Sequence, residues 1–301
     1  MQTARPRRML ALAAGAAALL AAGLGGCAPA DQAPSGQQSP SASASGSASG
    51  ECAKSSLRLV TAGRLTIGTD KPAYEPWFSG DDPTNGKGFE SAVAYAVAGR
   101  LGFAKDEVTW TDVPFNSSYA PGRKKFDFDV NQVSITEARK KAVDFSDGYY
   151  TVNQAVVALK SSPIAGAKTL GELKGAKFGA QVGTTSLDAI RNIIRPTAQP
   201  AVYNDTNDAK NQLQNKVIDG IVVDLPTAFY LTAAEIDNSV IVGQVPGTGT
   251  GSAEQFGLLL EKGNPLVTCV NRAIADLVSS GDLAKITNQW LAASAGAPVL
   301  G

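Results

Sequence analysis

The stretch SITEARKKAVDFSDGYYTVNQAVVAL, residues 134–159, puts an arginine in an electrostatically poor place. Ser134 followed three residues later by Glu137 has the spacing of a capping box, which predicts a helix beginning at Ile135 or Thr136. Arg139 then falls in or just after the first turn, where the helix dipole is positive and cations are disfavoured. An anion from outside the chain, seated at the same helix start, would offset that cost. The plainer alternative is a surface arginine paired with Glu137 or Asp144, worth little to stability. The stretch closes on QAVVAL, an apolar run of strand length.

Outward from there, strand-like and helix-like segments alternate. RLTIGTD (64–70) is a short apolar strand ending in a polar turn. In GFESAVAYAVAGRLGF (88–103), Phe89, Val93, Val97 and Leu101 recur every fourth residue, one stripe of an amphipathic helix. VTWTDVPF (108–115), FDFDVNQVS (126–134) and EQFGLLLEKG (254–263) read as strands. Residues 169–194 read as short helix, strand, Gly-Thr-Thr loop and helix. Residues 208–232 give helix, strand and a helix begun by Pro226, and 265–291 give two closing helices. This alternation predicts an α/β fold with parallel sheets covered on both faces, as one large domain or two lobes. Ligands of open α/β sheets gather at the carboxyl ends of strands. Four polar loops lie at such ends: GTD after Ile67, SITEAR after Val133, QVGTTS after Phe178 and DLPT after Val223.

Composition narrows the function classes. The chain has 301 residues, 44% hydrophobic and 18% charged, with ordinary globular proportions. Its 27 basic residues balance 27 acidic ones, and losing Arg5, Arg7 and Arg8 with a leader leaves −3, no footprint for nucleic acid. It contains no histidine, which removes His-based triads, His-ligated zinc and the commonest general base near neutral pH. Those three arginines precede an apolar run, residues 9–22, with the length of a signal-peptide core and too short for a membrane span. The following LGGC, ending at Cys27, resembles a bacterial lipobox, so residues 1–26 are expected to be a lipoprotein signal peptide and Cys27 the acylated first residue. Residues 27–53 then form a Ser/Gly/Ala/Pro tether, whose first part has no aromatic or branched aliphatic residue with which to bury a core. In an exported chain the remaining pair, Cys52 and Cys269, suggests a disulfide.

The central stretch resembles the IT–x–x–R … FS–x–x–Y signature of the family 3 solute-binding proteins, which capture polar amino acids for ABC importers. Supporting blocks follow in the family's order: IGTD…YEPW, GFESAVAYAVAGRLG, ELKGAKFGAQVGTTS, IDGIVVDLP and EQFGLLLEKGNPL. The resemblance implies a two-lobed, type II periplasmic-binding-protein-like fold with two crossing hinge strands and the ligand cleft between lobes. Lobe 1 is expected over 54–153 plus 248–301 and lobe 2 over 154–247, with crossings near TVNQAV and VPGTGTG. It also implies a non-enzymatic monomer without cofactor or metal, lipid-anchored to the outer face of the cell membrane. Its partners would be a free amino acid and a membrane permease.

By the same resemblance Arg139 grips the ligand α-carboxylate, for which a planar guanidinium fork is suited. Thr136 and Ser134 match ligand-contacting positions, and simple helix capping is compatible with both. Thr185 matches a second-lobe donor to the same carboxylate, and Gly183 would let the backbone approach closely. Asp224 matches the carboxylate that pairs with the ligand ammonium, with a helix N-cap as the alternative. Asp70 would meet the ligand's distal group, and Tyr74, or Trp77 if the register slips, would stack over it. DKPAYEPW carries one extra residue relative to the family spacing, and Glu75 adds an acid that reads equally as a solvated loop residue. Phe115 is a candidate opposite wall, and Gln132 and Gln181 match positions that vary with ligand choice. Acids near the aromatic and no spare cation favour glutamine or a cationic amino acid. The rival reading is a dehydratase on the same scaffold acting on a cyclic carboxylic acid, with Glu75 or Asp70 as general acid.

Overall fold

A computed structural model of the chain describes residues 50–247, 253–292 and 296–301. The leader, the Cys27 anchor site, most of the tether and much of the VPGTGTG crossing lie outside the described residues.

The strands form two five-stranded sheets. The first contains β1 (Leu65–Thr69), β2 (Val108–Asp112), β3 (Phe128–Asp129) and β4 (Val143–Thr151). The second contains β5 (Gln154–Leu159), β6 (Phe178–Gln181), β7 (Ala201–Tyr203), β8 (Gly220–Asp224) and β9 (Ser239–Gln244). β10 (Gln255–Glu261) returns to the first sheet, giving orders β2-β1-β3-β10-β4 and β7-β6-β8-β5-β9. The sheets are mixed, which corrects the purely parallel expectation: β10 runs antiparallel to β3 and β4, and β5 antiparallel to β8 and β9. The reason is connectivity. β5 and β10 enter their sheets directly from the opposite sheet, without the helical crossover that makes neighbouring strands parallel.

The chain passes between sheets at 152–153 and again between β9 and β10. The passages are tied by main-chain bonds, Val152 N–H to Glu254 O (2.9 Å) and Val245 N–H to Gln154 O (2.8 Å).

Helices cover the sheets as the periodicity predicts. α1 (Phe89–Arg100) buries Phe89, Val93 and Val97 against Ile67, Phe128 and Leu258, and α7 (Leu266–Ser279) and α8 (Asp282–Leu291) share that core. On the opposite face lie two one-turn helices, α2 (Phe115–Ser118) and α3 (Glu137–Lys140). In the second sheet β5 feeds both faces: Val156 and Ala158 join the core beneath α4 (Thr185–Ala189). Ala155 and Val157 join that of α5 (Thr206–Gln214) and α6 (Leu225–Tyr230). A strand buried on both faces must be apolar at every position, and QAVVAL is close to that.

Residues 296–301, expected with the first lobe, instead border the second sheet. Val299 bridges Gln244 on edge strand β9, Leu300 N–H donates to Gln244 O (2.9 Å), and Gly301 N–H donates to Lys168 O (3.0 Å). Leu300 is buried among Val156, Phe178 and Val242. An apolar side chain and a strand edge needing partners are satisfied together.

Cys52 and Cys269 are bonded, as the sequence suggested, closing a loop between residues 217 positions apart and fastening the start of the folded region to α7. A cross-link over so long a loop restricts the unfolded chain strongly. The double variant Cys52→Ser/Cys269→Ser is expected to lose about 2–5 kcal/mol, lowering the calorimetric unfolding midpoint by roughly 5–15 °C. A midpoint that stays put in the variant and in the reduced wild type would show that the cross-link adds no stability.

Candidate functional site

The polar loops at the strand ends of both sheets converge on one cavity of about 60 Å³. Asp70, Tyr74, Trp77, Phe115 and Gln132 line it from the first-sheet side, and Gln181, Thr185 and Asp224 from the second. Small-molecule sites usually begin near 300 Å³, so a ligand of amino-acid size needs the walls to part before it enters. Past Tyr74 lies a second cavity of about 300 Å³ that shares Tyr74, Thr206 and Thr227 with the first.

Arg139 is buried, at 8% exposure, but does not line the cavity. The helix start explains its placement and corrects the capping expectation. Ser134 forms an extended bridge to Phe256, and Ile135 N–H donates to Gln255 O (2.8 Å). These contacts hold the chain extended, and the helix begins only at Glu137, with Thr136 as the N-cap whose hydroxyl accepts Arg139 N–H at 3.2 Å. The guanidinium then donates from Nη1 to Ser134 O (2.7 Å) and from Nη2 to Gly183 O (2.9 Å), joining the two sides of the cleft. It lies over the rings of Tyr119 and Phe115, 4.8 and 5.4 Å from their centroids. The surface-pair alternatives are absent: Glu137 pairs with Lys140 and Asp144 with Lys262. Gly183 has φ +73°, and a Cβ there would collide with Tyr119 Oη and Asn116 Oδ1.

Asp224 ends β8 opposite Gln154 in the β5–β8 register. Its side chain does not cap α6 and instead accepts Gln154 Nε2 at 2.7 Å. Gln154 is held in turn by Ser186 Oγ, which donates to its Oε1 at 2.6 Å. On the other side stands Glu254, accepting Ser134 Oγ at 2.6 Å and lying 3.4 Å from Gln154 Nε2. Ser134 Oγ and Thr185 Oγ1 meet at 3.3 Å. Burial, reinforced by the neighbouring Glu254 charge, pushes the Asp224 carboxyl well above the usual range; Gln154 and Arg139 pull the other way.

At the far end, Asp70 accepts the main-chain N–H groups of Lys71 (2.7 Å) and Phe115 (3.1 Å), and burial raises its carboxyl against them. The aromatic question resolves into two roles. Trp77 is locked in the first core, edge-on to Phe89, Tyr150 and Phe256, with Nε1 donating to Thr227 Oγ1 at 2.9 Å. Tyr74 stands between the two cavities with its buried hydroxyl unpartnered. Glu75 faces the outer cavity and accepts Gly80 N–H (3.1 Å), which removes it from the place a general acid for a cleft ligand would occupy. Gln181 Oε1 accepts Thr206 Oγ1 at 3.1 Å.

Sequence reasoning missed Asn131, Gln154, Glu254 and Glu90. Asn131 lines the cavity, 7% exposed, with Nδ2 unpartnered. Glu90 is wholly buried behind Gln132. Asn131 adjoined the flagged Gln132, so its neighbourhood was the available signal; Gln154 and Glu254 carried none beyond closeness to the expected crossings. Among the described residues no group of His, Cys, Asp and Glu has the geometry of a metal site, and no helix is long and apolar enough to cross a membrane.

Residues 65–293 match the sequence model of the bacterial extracellular solute-binding proteins, family 3. The L-cystine-binding protein TcyJ of Escherichia coli (strain K12) is 31% identical over 236 residues, which cover 77% of this chain and 84% of that protein. The structure of an ancestral arginine-binding protein bound to arginine is similar with a TM-score of 0.64 at 30% identity, over 76% of this chain and 98% of its own. The ancestral amino acid-binding protein AncCDT-1, a precursor of cyclohexadienyl dehydratase, gives 0.62 at 28% identity, over 76% and 95%. The two-sheet architecture, the cleft and these likenesses agree: the chain belongs to the bacterial extracellular solute-binding proteins, family 3.

Proposed function

We propose that the protein captures a free polar amino acid by closing two lobes over it and delivers it to the permease of an ABC importer. In this reading Cys27 carries the lipid that holds it at the outer face of the cell membrane. The observation that carries the ligand class is the convergence of Arg139, Ser134 and Thr185 at one part of the cleft with Asp224 beside them. A zwitterion offers the matching charges. Its carboxylate would replace the carbonyls of Ser134 and Gly183 on Arg139, because it adds an opposite charge and a bidentate fit that two neutral carbonyls lack. Its ammonium would meet Asp224, where Gln154 Nε2 now donates.

For the side chain, acids outnumber cations around the cleft. Asp129 is coupled by charge to Asp70, and Asp224 to Glu254, with Lys124 beside the first pair and Arg139 beside the second. This favours glutamine or a cationic amino acid over glutamate and aspartate. The adjoining cavity beyond Tyr74 leaves room for a long side chain such as those of arginine and L-cystine, the ligands in the names of two relatives.

Titration calorimetry with L-cystine, L-arginine, L-histidine, L-glutamine and L-glutamate tests this. At least one of the first four is expected to bind well ahead of glutamate. Turnover of a cyclic carboxylic acid without amino-acid binding would favour the dehydratase instead. Arg139→Ala is expected to lose affinity by about 100-fold or more, because a buried ligand carboxylate loses its partner. Unchanged affinity in a folded variant would remove Arg139 from the site. Gly183→Ala is expected to weaken binding by about tenfold through left-handed strain and collision with Tyr119 across the cleft. Equal affinity would mean that this contact plays no part in closure.

A further inference from the structure

Glu90, in the first turn of α1, has no role in the reading above, yet its carboxylate is fully buried and gathers three donors. Oε1 accepts the Gln132 main-chain N–H at 2.7 Å and the Tyr149 hydroxyl; Oε2 accepts Gln132 Nε2. Both halves of Gln132 are therefore held by one carboxylate. The backbone there has φ +48°, a left-handed conformation uncommon outside glycine, and the side chain lines the ligand cavity.

An ionised carboxylate can only accept hydrogen bonds. It therefore compels the Gln132 amide to point its NH2 inward and turn its carbonyl oxygen away from Glu90. A protonated Glu90 has an O–H to donate. Oε1 already accepts two donors, the Gln132 main-chain N–H, which cannot reverse, and the Tyr149 hydroxyl, whereas Oε2 has the side-chain amide alone, so the proton belongs on Oε2. There it is accommodated only if the amide turns over, its oxygen accepting from Glu90 and its NH2 turned away.

Resting on the amino-acid-binding reading, we propose that the protonation state of Glu90 sets which end of the Gln132 amide the ligand meets, making Glu90 a positioning residue for ligand choice. With Glu90 ionised the cleft shows a carbonyl acceptor, suited to ammonium, guanidinium or amide N–H groups. With Glu90 protonated it shows a donor, suited to carbonyl or carboxylate groups.

The surroundings place this change in an accessible range. Burial pushes the Glu90 carboxyl up to about 7 against the opposing pull of its three donors. The other titratable groups around it are Tyr149 on β4, Asp129 on β3 and Asp224 across the cleft, each coupled to Glu90 by charge and none of them cationic. Because the folded value lies above the unfolded one, the carboxyl's contribution to stability is full at low pH and is lost as pH rises through about 7. Glu90→Gln removes that buried charge without changing shape, so the variant is expected to fold at pH 8. Its amide also mimics the protonated acid, with NH2 in place of the O–H.

The test is calorimetric binding of L-arginine, L-glutamine and L-cystine at pH 6 and pH 8 by wild type, Glu90→Gln and Gln132→Met. For the tightest of the three, wild-type affinity is expected to change about tenfold between pH 6 and pH 8, falling at pH 6 for L-arginine, whose distal guanidinium only donates. Glu90→Gln should bind at pH 8 as the wild type does at pH 6, and Gln132→Met should lose the same step. Asp224 is coupled to Glu90, so its own step can move in Glu90→Gln; Gln132→Met keeps the Glu90 carboxyl, and loss of the step there isolates the amide. If Glu90→Gln does not fold, loss of the step in Gln132→Met carries the result. A step of equal size in wild type and in whichever variants fold overturns the proposal. Binding of none of the probes by wild type at either pH overturns the amino-acid reading itself, and this inference with it.

Discussion

Two carboxylates, Asp224 and Glu254, share one neutral amide, Gln154 Nε2, where the chain passes between its two sheets. Like charges brought together away from water repel strongly, and a neutral amide offsets that only in part. A cation of the right size relieves the repulsion best, and an amino acid's ammonium is such a cation. Because Asp224 ends a strand of one sheet and Glu254 precedes a strand of the other, relief at this point bears directly on the angle between sheets. In the proposed function, binding and closure would be one event, with the ligand stabilising the arrangement it contacts most fully.

In the proposed binding mode Arg139 would take the opposite end of the ligand. Its two carbonyl partners come from different sides of the cleft, so the guanidinium already links the halves through neutral acceptors. In the proposed binding mode a ligand carboxylate would compete for those donors by adding an opposite charge that the carbonyls lack. A cation in a first helical turn therefore has a local explanation as well. α3 is a single turn, too short for a large dipole, and its capping is done by Thr136.

What the sequence made legible follows from repetition and from chemistry tied to short motifs. The α1 stripe of Phe89, Val93, Val97 and Leu101 is buried as its spacing required, and β5 is apolar because both its faces are covered. The polar loops after Ile67, Phe178 and Val223 each supply cavity-lining residues, since side chains at strand ends have nowhere else to point. Legibility failed where long-range pairing decided. Ser134 had the spacing of a cap, but its bridge to Phe256, over a hundred residues later, keeps it extended. Gln154 opens an apolar strand and Glu254 lies beside a glycine-rich segment, and only the meeting of two distant passages gives either a task. The antiparallel placement of β5 and β10 was hidden for the same reason.

The docking of Leu300 on the second sheet makes a third span between the halves, for α8 packs with α1 and α7 against the first. Residues close in sequence thus belong to the cores of different sheets. With closure as proposed, a dye pair on the exposed Gln289 and Gly301 would serve as a ruler for cleft width, needing no label near the ligand. Anything fused after Gly301 would begin beside Lys168, at the rim of the second sheet, and travel with it.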